Sequence, residues 1–523
     1  MAYLMWQLIH HGVYVPEYSP VGLNIKFNGK RILLDAEAEQ MALAFVKKFN
    51  TPYINDEVFV NNFLEDFCKK VGIDKVCKKE EIDWSEIEEY IEKEKKMKEK
   101  MSREEKRRLS EERKRLREML KERYGYAIVD GKKVELQNWT VEPAGIFMSK
   151  GKNPVRGRWK KAVKRSDIIL NLSEKPKDLE DGWKAIVWKS DCMWIACWRN
   201  PINGKMKYVW FSPKSSLRQE KEKSKWDKAI ELEKRIKEIE RHIHKNLTAK
   251  DIVRRKVATV VYLIKETGIR VGDERIAGET GTIGCTTLKV ENLKVEGNTL
   301  ILDFVGKDYV HWHREITLPK RVLKNVMKFI NDAEDGLVFD GINSSKISKF
   351  LQEVVPEVSA KTFRTMIAGQ TFKKTLKETT VKFGKSEFEK LIRFKYINLA
   401  IAERLNHKRK LPEKFDEKVK KKESKVKEKK EKIDIIKKKI IEANEKRRKR
   451  LMERLEKAEN EYRKAFLELQ IYKDTAEWNL NTSLTSYIDP RLVVEYARKN
   501  KLPIEKIYSK SLREKFSWAI SGN

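Results

Sequence analysis

Between Leu411 and Ile471 the chain holds little besides Lys, Glu and Arg, with apolar residues at regular spacing. Val419, Val426, Ile433 and Ile440 recur at heptad positions, with Ile436 facing them. Leu451, Leu455, Ala458, Tyr462, Ala465 and Leu469 then alternate by four and three. A stripe this narrow cannot build a globular core and must be covered by another helix. The spacing predicts two helices folding back as an antiparallel coiled coil, with the turn near Asn444. One long solvated helix is the plain alternative, because neither arm carries a strong stop signal.

The remaining sequence must supply the compact parts, and 523 residues exceed one ordinary core. LNIKFNGKRILLD reads as a hairpin turning at Asn28 and Gly29. Helical periodicity follows in AEAEQMALAFVKKF and VFVNNFLEDFCKKV. Trp84 to Tyr124 reads as long exposed helices with a basic bias. Ala127 to Pro213 turns β-rich, and Asn203-Gly204 between two apolar runs is a hairpin signal. Beyond Ser216 the pattern is helical again, through WDKAIELEKRIKEIERHI and a long amphipathic helix ending at Gly268. A strand pair follows, CTTLKVENLKVEGNTLILDFVGKD and VHWHREITL, with Gly297 in the connection; helices then dominate from Lys320 to Asn406. The fold class expected is α+β, multidomain and helix-rich.

Charge narrows the partner. Lys and Arg number 115 against 80 Asp and Glu, a net +35, which favours a polyanion and nucleic acid first. A solvated Lys/Glu-rich surface is the bland reading, and both can hold. Five cysteines without a CxxC pair point to a reducing compartment, with Cys192 and Cys197 in the apolar CMWIAC reading as core rather than zinc ligands. No apolar run is long enough to span a membrane, and the opening MAYLMWQLIHHGVY does not read as a signal peptide. A soluble intracellular protein is expected.

Taken singly, the chemically suggestive residues are unpersuasive. Tyr487 in LNTSLTSYIDPR is ordinarily a helix-end packing residue. Arg270 in TGIRVGDER could be a surface ion pair, Lys307 in FVGKDY merely solvated, Arg364 in KTFRTM a cap, and His407 in RLNHKRK a dipole-stabilised helix end.

In order they form a recognisable set. RVGDERIAGETGTIGCTTLKVENL, FVGKD, KTFRTM, LNHKRK and TSYIDPR resemble the five catalytic blocks of the eukaryotic type IB DNA topoisomerases. GVYVPEYSP with NIKFNGKRILLDAEAEQMA resembles the family's first core segment, and YGYAIVDGKKVELQNWTVEPAGIFMSKGKNPVRGRWKK its second. WRNPINGKMKYVWFSPKSSLRQEKEKSKWDKA is similar to the hairpin and connector before the catalytic part, and PIEKIYSKSLREKFSWAI to the family's end. The resemblance covers almost the whole chain.

It implies a two-lobed DNA clamp with a tyrosine-recombinase-like catalytic domain and a coiled-coil linker. The expected boundaries are 1–218 for the N-terminal lobe, 219–412 for the catalytic core, 413–471 for the linker and 472–523 for the C-terminal domain. Tyr487 would be the nucleophile, forming a 3′ phosphotyrosine. Arg270 and Arg364 would hold the non-bridging phosphate oxygens, His407 would hydrogen-bond one of them, and Lys307 would protonate the departing 5′ oxygen and touch the minor groove. Lys150, Lys152 and Asn153 lie in a loop where the family contacts DNA. Lys205 and Lys207 flank a hairpin turn and would meet phosphates. Asp308, Thr482 and Ser486 complete the expected DNA-contacting group.

The chemistry asks for such a set independently. Attack on a phosphodiester builds negative charge at phosphorus, and guanidinium groups meet phosphate oxygens bidentately. No cofactor is expected to be required, with Mg²⁺ at most stimulating, and the sequence holds no GxxxxGK[ST] loop. The partner would be double-stranded DNA, held largely independently of its sequence, by a monomer.

Two positions depart from the family. Ser486 precedes the tyrosine where Asn is usual, which bears on sensitivity to intercalating inhibitors; Lys408 follows His407 in place of Gln. Together with the Lys/Glu-heavy composition and the lack of a long charged N-terminal extension, this points to a compact archaeal-type member. Its location would be cytoplasmic and nucleoid-associated in an archaeon and nuclear in a eukaryote. A tyrosine recombinase would place His three residues before the second arginine, where this chain has Lys361. A non-catalytic DNA-binding protein would lack one of the five.

Overall fold

The computed structural model describes residues 4–75, 77–148, 153–272, 283–306, 310–379 and 386–522. Lys150, Lys152, Lys307 and Asp308 therefore lie outside the described residues. The chain divides into two compact units, the first Met1–Gln219 with Arg275–Gly281, the second Glu220–Glu274 with Thr282–Asn523.

The first unit contains two apolar cores. One lies on a seven-stranded sheet in the order Leu8–Ile9, Tyr126–Val129, Lys132–Gln137, Met206–Phe211, Trp194–Arg199, Ile169–Asn171, Ala185–Val187. Alternation sets which side is buried: Ala127 and Val129 face inward on one strand, Val209 and Phe211 on another. The second core packs the helices Ala36–Val46 and Glu57–Val71 against a three-stranded sheet, with Phe45 and Phe63 stacked 4.2 Å apart. Its hairpin, Asn24–Phe27 with Lys30–Leu33, turns through Asn28 and Gly29 at φ of 50° and 75°. Both left-handed residues are what a two-residue turn matching strand twist requires. The basic region forms two helices, Ser85–Lys100 and Arg103–Tyr124, and the second starts on a Ser102–Glu105 capping box.

Trp194–Arg199 and Met206–Phe211 do pair as a hairpin, but their connection is the six residues 200–205 rather than a tight Asn203-Gly204 turn. Asn200 causes this. Its carbonyl accepts from Gly204 N and its side chain from Ile202 N, which closes a wider loop.

The second unit is helical around a three-stranded antiparallel sheet, Leu293–Glu296, Thr299–Val305 and His311–Thr317. One continuous core joins the Ile252–Thr267 helix, the sheet, the helices Ala360–Glu378 and Glu387–Arg404, and the C-terminal segment including Tyr487, Val493 and Phe516. The segment before the sheet is not extended throughout, because Cys285–Thr287 and Val290–Asn292 are short 3-10 turns.

The Lys/Glu-rich segment is two helices, Phe415–Ile441 and Glu445–Asp474, with Asn444 capping the second through Arg447 N at 3.1 Å. The pairs Lys422–Glu468, Lys429–Glu461 and Lys437–Glu459 run in opposite senses along the two helices, so these are antiparallel. Ile433, Ile436 and Ala458 form the buried seam. At its base, Arg463 Nε meets Glu389 on the Glu387–Arg404 helix at 2.6 Å, and Tyr396 donates to Asp474 at 2.7 Å.

Candidate active site

Two helices end side by side in the second unit. The Ile252–Thr267 helix stops at Gly268, which adopts φ of 70°. A Cβ there would stand 3.3 Å from Leu405 Cδ2 and 3.5 Å from the Arg404 carbonyl oxygen, so glycine permits both the turn and the close approach. The second helix, Glu387–Arg404, is capped by Leu405 and reverses through Asn406 at φ of 53°. Arg270 emerges just past the first cap and His407 just past the second. The first exit is held by its neighbours: Cys285 N donates to the Arg270 carbonyl at 2.8 Å and Thr286 N to that of Val271 at 2.7 Å.

Arg364, near the start of the Ala360–Glu378 helix, is only 3% exposed. Its Nη1 donates to the Gly268 carbonyl and its Nη2 to that of Leu405 at 3.0 Å, so one guanidinium closes both helix ends. These carbonyls carry the partial negative charge of helix C-termini, which stabilises a buried cation. Nη2 also lies 3.3 Å from His407 Nε2, and the guanidinium carbon stands 5.1 Å from the centre of the Tyr487 ring. Its Nε is buried with no partner among the described residues.

His407 is buried, with its ring centre 4.9 Å from that of Tyr487. Nδ1 lies 2.7 Å from Ser483 Oγ. Burial, and then the Arg364 and Arg270 charges, hold the imidazole down at about 3, so it is neutral in the ordinary range. Ser483 can donate or accept, and its hydroxyl therefore fits either tautomer.

Tyr487 follows the Leu480–Ser486 helix and is 4% exposed. Burial alone would push its phenol up. The Arg364 and Arg270 charges, with a hydrogen bond from Arg364 and the Lys361 charge, outweigh burial and bring it down to about 8. Asn479 anchors the start of the segment, its N donating to the His407 carbonyl at 2.7 Å and its side chain accepting from Thr482 N at 3.2 Å. A phenol, two guanidiniums and a neutral imidazole thus share one buried, positive locus. It can supply an oxygen nucleophile and stabilise an anionic oxygen beside it.

Four of the five expected catalytic residues, Arg270, Arg364, His407 and Tyr487, act on one another here; Lys307 falls outside the described residues. Thr482 and Ser486 are half-buried on the helix leading to Tyr487. In the first unit, Asn153 is buried and its side chain accepts from Val155 N at 3.0 Å. Lys205 is exposed in the loop, and Lys207 is exposed on its strand with Nζ 3.4 Å from Glu142. Ser483 was missing from the expected set. Its one legible signal is position, a helical turn before the nucleophile.

Comparison with known proteins identifies the family. Residues 214–440 match the family model for the eukaryotic DNA topoisomerase I catalytic core, 4–211 that for its DNA binding fragment, and 459–523 a C-terminal topoisomerase domain. DNA topoisomerase 1 of Homo sapiens is 30% identical over 555 residues, spanning 99% of this chain and 71% of that protein. DNA topoisomerase 1 alpha of Arabidopsis thaliana is 32% identical over 538 residues, spanning 98% and 58%. DNA topoisomerase 1 of Drosophila melanogaster is 29% identical over 535 residues, spanning 98% and 54%. The chain belongs to the eukaryotic-type DNA topoisomerase I family, the type IB topoisomerases.

Proposed function

We propose that this chain relaxes supercoiled duplex DNA by cutting one strand through Tyr487, allowing rotation, and resealing the break. The observation that carries this reading is the placement of Arg364 beside both His407 and Tyr487, with Arg270 close enough to act on all three.

The Tyr487 phenol gives its proton to water, a loss that the Arg364 and Arg270 charges favour, and its oxygen attacks the scissile phosphorus, so that a new P–O bond forms and the bond to the 5′ oxygen breaks. Lys307 gives the leaving 5′ oxygen its proton, since an alkoxide departs poorly. Arg270 and Arg364 hold the non-bridging oxygens and His407 donates to one of them, stabilising the pentacoordinate state. The buried Arg364 Nε, without a protein partner among the described residues, is a donor suited to such an oxygen. The phosphotyrosine keeps the energy of the broken bond, so attack by the 5′ hydroxyl reverses the step. Neither ATP nor a metal ion is required in this scheme.

The finer organisation follows the same reading. Residues 1–218 form one clamp lobe, 219–412 a recombinase-like catalytic core, 413–471 a coiled-coil linker that slows rotation, and 472–523 a C-terminal domain delivering the nucleophile. Lys150, Lys152, Asn153, Lys205, Lys207, Asp308, Thr482 and Ser486 meet the duplex largely without reading its sequence. A monomer suffices, working wherever the cell keeps its duplex DNA; no helix among the described residues is long and apolar enough to cross a membrane.

Plasmid relaxation in EDTA without ATP tests the reading. The wild-type chain relaxes supercoils and Tyr487→Phe does not. Relaxation that needs ATP and Mg²⁺, or an active Phe variant, contradicts it.

A further inference from the structure

Arg364 is one of three arginines gathered at the paired helix ends. Arg314 lies in the middle of the His311–Thr317 strand, opposite Leu302. Its Nη1 is 3.4 Å from the Thr267 carbonyl, and its Nη2 is 3.4 Å from that of Glu403 and 3.5 Å from that of Arg404. Arg404 in turn donates from Nη2 to the Glu266 carbonyl at 2.6 Å. The last carbonyls of both helices are therefore held by guanidiniums on either side, Arg364 from within and Arg314 from the sheet.

This arrangement opposes simple electrostatics. Burial, and then the neighbouring Arg404 and Arg364 charges, depress the Arg314 pKa. A third cation in such company needs compensation, and every hydrogen bond it makes among the described residues goes to a backbone carbonyl. The contacts are long for hydrogen bonds, so much of the hold is charge against two converging helix dipoles, each about half an elementary charge. Helix ends alone would be satisfied by water or by ordinary caps. The position of Arg314 suggests what it adds. It clamps the end of one helix, which projects Arg270, to the end of the other, which projects His407. It also sits on a strand that Asn406, the residue before His407, grips through the His311 carbonyl at 3.1 Å. In sequence, that strand follows the connection carrying Lys307.

We infer that Arg314 is a positioning residue for strand cleavage, clamping the sheet to the two helix ends so that Arg270 and His407 are held in register around the scissile phosphate. Arg314 touches neither DNA nor the reacting atoms in this scheme. The inference rests on the function proposed above, and its signature is a loss of chemistry without a loss of binding.

The test is single-turnover cleavage of a duplex oligonucleotide that traps the covalent adduct, beside equilibrium binding of the same duplex and thermal unfolding. Arg314→Gln lowers the cleavage rate about 10- to 100-fold, the size of effect a small displacement of reacting groups produces, and leaves duplex affinity within about threefold, since one lost charge affects a single counterion at most. Arg314→Lys keeps the charge at the helix ends and recovers part of the rate. In an Arg270→Ala, His407→Asn background the same Gln substitution has little further effect, because the groups it positions are gone. A Gln variant that cleaves at the wild-type rate overturns the inference. So does one whose affinity falls in proportion to its rate, or whose rate loss is undiminished in the double-variant background. If Arg314→Gln unfolds at working temperature, the Lys variant decides: it keeps duplex affinity and cleaves at between about one tenth of the wild-type rate and the full rate, and a folded Lys variant whose affinity falls in proportion to its rate overturns the inference. Wild-type protein that forms no adduct at all defeats the proposed function instead.

Discussion

The hydroxyl of Ser483 lies 2.7 Å from Nδ1 of His407, and both side chains are buried. The contact fixes the ring plane and so aims Nε2 at the space beside Arg364 and Tyr487. Ser483→Ala leaves a buried ring nitrogen without its partner, at a cost of about 1–3 kcal/mol in stability. It also lets the imidazole turn, and cleavage slows about tenfold while duplex binding is retained. Single-turnover kinetics with denaturant unfolding measures both.

Arg364 closes two helix ends and lowers the Tyr487 phenol at once. Arg364→Gln removes a donor aimed at the developing charge, and the cleavage rate falls by about 10²–10³. In the same variant the Tyr487 phenol titrates above its wild-type position, because the largest of the charges that offset its burial is gone. Ultraviolet titration of tyrosinate in the DNA-free protein checks the shift.

Tyr487 itself is predicted to titrate at about pH 8 in the DNA-free protein, and Tyr487→Phe removes that step. The stability linkage follows from its sign. The folded phenol is depressed below an unfolded value of about 10, so its contribution is absent below about pH 8 and grows as pH rises towards 10. Wild type therefore gains stability over Tyr487→Phe only above about pH 8, as thermal unfolding across that window would read.

His407 works at the other end of the scale. Its folded value near 3 lies below the ordinary 6.5, so the unfolded chain binds a proton that the folded chain refuses. Stability falls as pH drops below about 6.5, with a slope approaching about 1.4 kcal/mol per pH unit. His10, buried in the first unit and held down at about 4, adds a loss of the same sign. His407→Gln removes one of the two, and its melting temperature declines less between pH 7 and pH 5 than that of wild type.

The net charge of +35 predicts strong salt dependence. Neutralising roughly six phosphates lowers duplex affinity by about 10³ between 50 and 200 mM salt. Tyr487→Phe leaves that slope unchanged, and Lys205→Ala or Lys207→Ala each reduce it by about one contact or less. Binding titrations over a salt series measure it.

Much of this was legible from local chemistry. Asn28-Gly29 dictates a tight hairpin because both residues accept left-handed conformations, and Gly268 ends its helix for the same reason. Asn203-Gly204 looked equivalent, yet Asn200 captures Gly204 N and Ile202 N and widens the loop, a competition that dipeptide patterns do not show. The extended reading near Cys285 failed in a similar way. Thr287 Oγ1 accepts from Gly284 N, and the chain there pairs with Arg270 and Val271 rather than with the sheet. The five catalytic candidates were legible only as an ordered set, since each alone has an ordinary structural explanation. Ser483 and Arg314 had no such order to give them away. Their importance lies in what they touch across 76 and 89–90 residues of sequence, which no local pattern encodes.

The central claim is that Tyr487 carries the cut strand, and covalent trapping tests it most directly. Duplex DNA labelled on the scissile strand and incubated with the protein in EDTA should yield, after denaturation and digestion, a single labelled peptide. This peptide should contain Tyr487 joined to the 3′ phosphate of the cut strand, and Tyr487→Phe should form no adduct. Linkage to a 5′ phosphate, an adduct on another residue, or one that persists in Tyr487→Phe would contradict it.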